Sequence, residues 1–256
     1  MTSYLKSSYI LEDKITIEGI PAILFRPKEW EKPLPTVILY HGWSSNKELQ
    51  RMRGFILSTV GYQVIIPDAI HHGERGALSK YDLEDAKQYF WDTILTNIKE
   101  SNTIIDQIIS KYDADPNRIG VLGHSMGGFT AAGIFTHNPN VKASVIFNGS
   151  CGWENFNKWL RKNHEISNAF EFKEIDQVKR LDPQNNLNLL IDRPILLLHG
   201  DRDNVVPIES QRIFYHKIRH KYSYRDRIKL IEYPNLNHFV TTNMMEECIA
   251  WFDRFL

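Results

Sequence analysis

A chain of 256 residues with 31 basic and 31 acidic side chains has a formal net charge of zero, so it lacks the electrostatic footprint of a nucleic-acid or polyanion binder. Its 42% apolar and 24% charged residues are ordinary for a soluble globular enzyme. No run approaches the ~18 apolar residues that a membrane span needs, so no membrane association is expected.

Two cysteines, Cys151 and Cys248, lie far apart without metal-type spacing. That speaks against a disulfide framework and makes a reducing cytoplasm the default expectation. Residues 1–8 contain no continuous apolar stretch of the secretory kind.

Residues 8–26 read as two strands. Ile10, Ile15, Ile17, Ile20, Ile23 and Phe25 are strand formers, and Gly19-Ile20-Pro21 falls between the runs. This predicts an antiparallel hairpin at a sheet edge. Residues 27–35, with three prolines, are a loop, and 36–40 form a continuous apolar run typical of a strand buried on both faces. It ends in His41-Gly42-Trp43. Residues 47–60 place Leu49, Met52, Phe55, Ile56 and Val60 at helical spacing, with Gly61 as the stop. The next buried strand, 63–67, opens into a loop from Asp68 to Gly76. A long helix is expected over 83–112, with Ile94, Ile98, Ile105, Ile108, Ile109 and Tyr112 on its apolar face and room for a break near Ser101-Asn102.

A strand at 118–123 then meets Gly123-His124-Ser125-Met126-Gly127-Gly128, and a helix runs to about Phe135. Residues 143–147 form a strand ending at Asn148-Gly149-Ser150-Cys151. Residues 152–190 have helical character and no clean strand. A strand at 194–198 ends in His199-Gly200-Asp201-Arg202-Asp203. A helix at 207–219, a strand at 228–233 and the loop 234–242 with His238 follow. Met245, Cys248, Ile249, Phe252, Phe255 and Leu256 give the last helix its buried face. Strands alternating with helices predict a single α/β domain over 1–256. Its sheet is mostly parallel and doubly wound, its N-terminal edge antiparallel, and residues 151–190 are an excursion from it.

The sequence around Ser125 has the form Gly-x-Ser-x-Gly between a strand and a helix. A serine there must sit in a strained conformation to project its hydroxyl above the sheet. Gly123 and Gly127 lack a Cβ, so strand and helix can approach closely. The helix starting at Met126 points N–H groups at the site, which suits a developing negative charge. In an open parallel sheet the site lies beyond the carboxyl ends of the strands, where Trp43, Ser125, Asp203 and His238 all fall.

A serine hydroxyl needs a base to take its proton and a carboxylate to orient that base. His238, between the last strand and the last helix, is the candidate base, and the order Ser125, Asp203, His238 is that of α/β-hydrolases. Asp201 and Asp203 are both candidate acids, and either could be a turn former. Strand alternation does not choose between them. Asp203 lies in the loop proper, where it can reach a histidine, and is preferred. His124 reads as structural.

The backbone N–H groups of Met126 and Trp43 are the expected oxyanion donors, and the Trp43 side chain lines the pocket. His71-His72-x-Glu74 invites a metal hypothesis, but adjacent histidines rarely converge on one ion. Loop-stabilising hydrogen bonds are the better reading there, and neither metal nor cofactor is expected. Cys151 reads as a small core residue.

Together these motifs resemble the α/β-hydrolase superfamily, and more narrowly the prolyl-oligopeptidase-like and dienelactone-hydrolase-like esterases. The resemblance rests on His41-Gly42-Trp43, the Asp68-to-Gly76 loop, Gly123-His124-Ser125-Met126-Gly127-Gly128, His199-Gly200-Asp201-Arg202-Asp203-Asn204-Val205-Val206-Pro207, and His238. It implies an α/β-hydrolase fold and a triad of Ser125, Asp203 and His238, the His-Gly-x-x-Asp spacing assigning the acid. It implies a serine hydrolase acting on small-molecule carboxylic esters, with short-peptide, amide or thioester hydrolysis as the alternative and a non-catalytic binding role as the rival.

The peptidases of this group usually carry a β-propeller, and no such segment precedes residue 1, which speaks against oligopeptide cleavage. Residues 151–190 resemble a short helical cap in position and character. Trp153 and Phe156 are its best candidates for pocket lining. Apolar surface on such a cap could also bury in a second copy, giving a homodimer.

Overall fold

The first hairpin turns on Glu18 and Gly19, both at positive φ (47° and 84°), the geometry of a two-residue turn matched to strand twist. It joins β1 (Ile10–Ile17) to β2 (Ile20–Pro27) in register, with Ile17 opposite Ile20. The computed structural model describes residues 7–31, 33–167, 170 and 172–256. Residues 1–6, where the sequence shows no secretory pattern, and residues 168, 169 and 171 of the cap-like excursion lie outside the described residues.

The chain continues through β3 (Leu34–Tyr40), α1 (Arg51–Thr59), β4 (Gln63–Pro67), α2 (Leu83–Lys111), β5 (Ala114–His124) and α3 (Met126–His137). Then come β6 (Ala143–Phe147), α4 (Trp153–Asn163), α5 (Ile175–Leu181), β7 (Ile195–Gly200), α6 (Glu209–Ile218), β8 (Ile228–Tyr233) and α7 (Thr242–Phe255). The strands form one sheet in the order β1-β2-β4-β3-β5-β6-β7-β8. The hairpin adds to β4 antiparallel, and every pairing from β4 to β8 is parallel.

Both faces of the sheet are covered, which is why its central strands are apolar without alternation. Ile38, Ile65, Val121 and Leu197 face α2, α3 and α6. Val37, Val64, Leu122 and Leu198 face α1 and α7. A third cluster lies past the carboxyl ends of the strands, where Trp91, Phe129, Trp153, Phe156, Phe172 and Val178 join α2 and α3 to the excursion. From β3 the chain crosses to β4 on one side, and from β5 to β6 on the other. The crevice between β3 and β5 is therefore the switch point where open α/β sheets bind ligands.

The helix after β3 differs from expectation. Residues 47–50 form a 3-10 turn, and α1 buries Gly54, Leu57 and Ser58 while Leu49 and Met52 stand 67% and 56% exposed. Gly54 decides this, because a Cβ there would sit 2.8 Å from Ile66 and Phe25, so the helix packs on its smallest residue. The helix α2 runs unbroken through Ser101, whose hydroxyl donates to the carbonyl of Ile98 instead of interrupting the ladder. In α7 the buried face also takes in Met244 and Trp251. No helix among the described residues is long and apolar enough to cross a membrane.

Candidate active site

Ser125 stands between the last residue of β5 and the first of α3 with φ 57° and ψ −125°, a strained conformation for a residue with a side chain. Two close approaches force the turn. A Cβ on Gly123 would overlap the carbonyl of Gly127, and one on Gly127 would overlap the carbonyl of Tyr40. The Ser125 N–H donates to the Phe147 carbonyl at 3.0 Å, which ties the turn to β6.

The loop after β3 passes directly over the serine. A Cβ on Gly42 would lie 3.3 Å from the Ser125 Cβ. The Trp43 N–H takes none of the loop backbone hydrogen bonds among the described residues. Met126 opens α3, so its N–H has no partner within the helix. His41 fixes the loop from below: its Nδ1–H donates to the Gly42 carbonyl at 2.9 Å and its Nε2 accepts the Ala69 N–H at 3.0 Å. Burial, the largest influence on His41, lowers its pKa and keeps the ring neutral in that role.

Asp68 is fully buried and holds the same two loops together. It accepts the Lys47 ammonium at 2.6 Å, the Lys47 N–H at 2.9 Å and the Glu74 N–H at 3.0 Å.

Asp203, on the loop after β7, meets His238, on the loop after β8. Its Oδ2 accepts the His238 Nδ1–H at 2.7 Å, and its Oδ1 accepts the N–H groups of Val205 and Val206 at 2.9 Å each. Burial pushes this carboxyl's pKa up, but hydrogen bonds from His199, His238 and Val206 outweigh it and hold the group well below the usual carboxylate range. Asp201 is exposed and uses its N–H on Tyr233, so the structure brings only Asp203 to the histidine.

Two asparagines lock the loops. The Asn237 side chain accepts the N–H groups of His238 (2.8 Å) and Asn204 (3.1 Å). The Asn148 side chain donates to Phe239 at 2.8 Å and accepts from Gly200 at 3.0 Å. His124 packs its ring 4.8 Å from that of His238. Burial first, and the neighbouring His238 second, hold the pKa of His124 well below its ordinary value, so it adds no charge beside His238.

Ser125 opens into a cavity of about 320 Å³ walled mainly by Trp43, Phe90, Phe156, Phe172 and Val206. A larger groove of about 820 Å³ lies around Trp30 and Arg118, by the amino-terminal ends of β3 and β5, and has no part in this site.

The profile of the Prolyl oligopeptidase family matches residues 57–256. The chain belongs to the prolyl oligopeptidase family. It is similar to "Putative esterase YitV" of Bacillus subtilis (strain 168), with 31% identity over 252 residues, 94% of this chain and 97% of that protein. It is similar to "Esterase YjfP" of Escherichia coli (strain K12), with 28% identity across 88% of this chain and 91% of that one. In fold it is similar to the crystal structure of TT1662 from Thermus thermophilus, with a TM-score of 0.78 and 19% identity over 96% and 97% of the two chains. The fold is that of the α/β-hydrolases, and this member of the family is a serine hydrolase.

The structure joins Asp203 to His238 and lines one cavity of this hydrolase with Trp43, Ser125 and Phe156, but Trp153 stands apart. It is fully buried and absent from the cavity wall, packs 5.3 Å from the ring of Trp91, and donates its indole N–H to the Ser150 carbonyl at 3.1 Å. As the first residue of α4 it faces Trp91 of α2 and Gly133 of α3, and Phe156, one turn on, reaches the cavity.

His71 and His72 take separate partners, Asp92 at 2.9 Å and the Ile70 carbonyl at 2.8 Å. Cys151 is buried in the core. Sequence reasoning missed Tyr81 and Phe90 in the cavity wall and His199 against the acid. The signal for Phe90 was present, since it continues the stripe of Ile94 and Ile98 one turn toward the N-terminus of α2.

Proposed function

We propose that this chain hydrolyses carboxylic esters through an acyl-enzyme formed on Ser125. The observation that carries the reading is the 2.7 Å bond from His238 to a buried Asp203, beside a serine held in a left-handed turn at the mouth of an apolar cavity. With Nδ1–H committed to Asp203, Nε2 of His238 is the proton-accepting nitrogen. It takes the Ser125 proton as Oγ bonds to the ester carbonyl carbon.

The carbonyl oxygen gains charge and is met by the N–H groups of Trp43 and Met126. The carbon–oxygen bond to the alcohol then breaks, and His238 returns the proton to the leaving alkoxide. Water repeats the sequence on the acyl-enzyme, again giving its proton to His238, and Ser125 is restored. The base must be unprotonated, so activity falls on the acid side.

Amide, peptide or thioester substrates would engage the same groups. The ester reading is favoured because the two relatives matched over nearly their whole length carry esterase names. A cytoplasmic location goes with the two free, buried thiols, Cys151 and Cys248.

The test is the initial rate on p-nitrophenyl esters from acetate to octanoate, for wild type and Ser125→Ala side by side. Wild type turns over, and the variant falls to background with its melting temperature nearly unchanged. Retained activity in Ser125→Ala would remove the assignment.

A further inference from the structure

The cavity beside Ser125 is sided. Its wall holds Ser125 and Trp43 but not His238, whose side chain reaches solvent and is 16% exposed. In ester hydrolysis the leaving alkoxide must lie against the histidine that protonates it. The alcohol portion therefore sits outside the cavity, toward solvent, and the acyl portion is the part the cavity encloses.

Six rings, Trp43, Tyr81, Phe90, Phe156, Trp159 and Phe172, share the wall with aliphatic side chains such as Leu160 and Val206. These rings already meet one another at aromatic-pair geometry. Trp43 stands edge-on to Tyr81 at 5.2 Å and to Phe90 at 5.9 Å, and Phe156 stacks on Trp159 at 6.0 Å. The Trp43 indole N–H donates to the Tyr81 carbonyl at 3.0 Å and the Tyr81 hydroxyl to the His71 carbonyl at 2.7 Å, so those two groups are engaged within the protein. Apart from Ser125, the polar lining residues Asp82, His164 and Asn204 are exposed at the rim. Asp82 also caps α2 through the N–H groups of Glu84 and Asp85.

The depth of the cavity thus offers mainly ring faces, ring edges and aliphatic side chains. At ~30 Å³ per water-sized unit, about 320 Å³ accommodates roughly ten non-hydrogen atoms.

Resting on the ester reading above, we infer that the preferred substrates are esters of uncharged arylalkanoic acids, with an acyl group about the size of 3-phenylpropanoyl and a loosely selected alcohol. An aromatic acyl group completes the ring contacts of the wall, and a saturated ring of the same outline fills the space without them. Such aromatic pairing is worth about two- to tenfold in affinity beyond area burial.

The experiment compares kcat/KM for 4-nitrophenyl acetate, 3-phenylpropanoate and 3-cyclohexylpropanoate, on wild type, Ser125→Ala, Phe156→Leu and Trp159→Leu. Methyl and butyl 3-phenylpropanoate are added to vary the alcohol alone. Wild type prefers phenylpropanoate over acetate by at least about tenfold and over cyclohexylpropanoate by about two- to tenfold, and the two alkyl esters differ by less than about threefold. Both Leu variants shrink the phenyl-to-cyclohexyl ratio toward unity. If Phe156→Leu fails to fold, the more exposed Trp159→Leu carries that arm.

Acetate as the best substrate, or a cyclohexyl ester equal to the phenyl ester, overturns the inference while the ester reading survives, provided Ser125→Ala is dead. Turnover retained in Ser125→Ala, or no ester turned over at all, overturns both.

Discussion

Asp203 and His199 meet at 3.3 Å with neither side chain exposed, so the carboxylate that accepts from His238 is also held by a second imidazole. The His199 Nε2 donates at 2.8 Å to the Val206 carbonyl, which puts the proton on that nitrogen and aims it at Asp203 as well. Among the described residues its Nδ1 is buried without a partner, an arrangement that costs stability and is retained beside Asp203.

Replacing this imidazole with a ring of similar size that cannot donate leaves Asp203 leaning harder on His238. His199→Phe should move the acid limb of the activity profile to higher pH, with KM little changed. A pH–rate profile of kcat/KM reads this directly. An unmoved limb with only a lowered melting temperature would make His199 a packing residue.

The two neighbouring acids should separate sharply on mutation. Asp203→Asn puts an amide donor where the carboxylate accepts from His238 and His199, and kcat should fall by about 10³–10⁴-fold, the scale seen when a triad acid becomes an amide. Asp201→Asn alters an exposed side chain and should leave kcat within about twofold. Steady-state rates on one ester suffice, and the reverse ranking would move the acid to Asp201.

Gly200 controls the placement of the loop that carries His238. A Cβ there would overlap the carbonyls of Leu236 and Asn237, just before His238. Gly200→Ala should displace that loop and cost ~10²-fold or more in kcat, as ångström-scale misplacement does, while the sheet remains folded. Kinetics and circular dichroism on the same sample separate loss of geometry from loss of fold.

Stability should fall on mild acidification because of buried histidines. His72 is fully buried, with its Nε2 unpartnered, and burial above all lowers its pKa to about 4. The unfolded chain takes that proton near pH ~6.5, before the folded chain does. The contribution to stability is therefore complete above about 6.5 and is lost as pH falls toward 4, by a few kcal/mol in order of magnitude. His41 and His124 are shifted in the same direction. His72→Phe should flatten part of the fall in melting temperature between those pH values, and an unchanged slope would show that His72 does not titrate in the transition.

Much of the architecture is written in local pattern. The apolar runs at β3, β4, β6 and β7 announce a covered parallel sheet, because a strand buried on both faces has no polar side to show. The glycines around Ser125 announce a turn with no room for a Cβ, and the order of serine, acid and histidine along the chain announces which loops meet.

Contact across the chain decided the remainder. Asp203 rather than Asp201 reaches His238 because the loop after β7 buries one acid and exposes its neighbour. Phe156 rather than Trp153 reaches the cavity because α4 turns its first residue toward Trp91. Leu49 and Met52 are outside because Gly54 lets α1 approach Phe25 and Ile66. In the first two cases two residues of similar chemistry stand within a turn of each other. Periodicity and spacing assign them nearly the same role, and the choice falls to steric fit and desolvation against segments distant in the sequence, which no local pattern encodes.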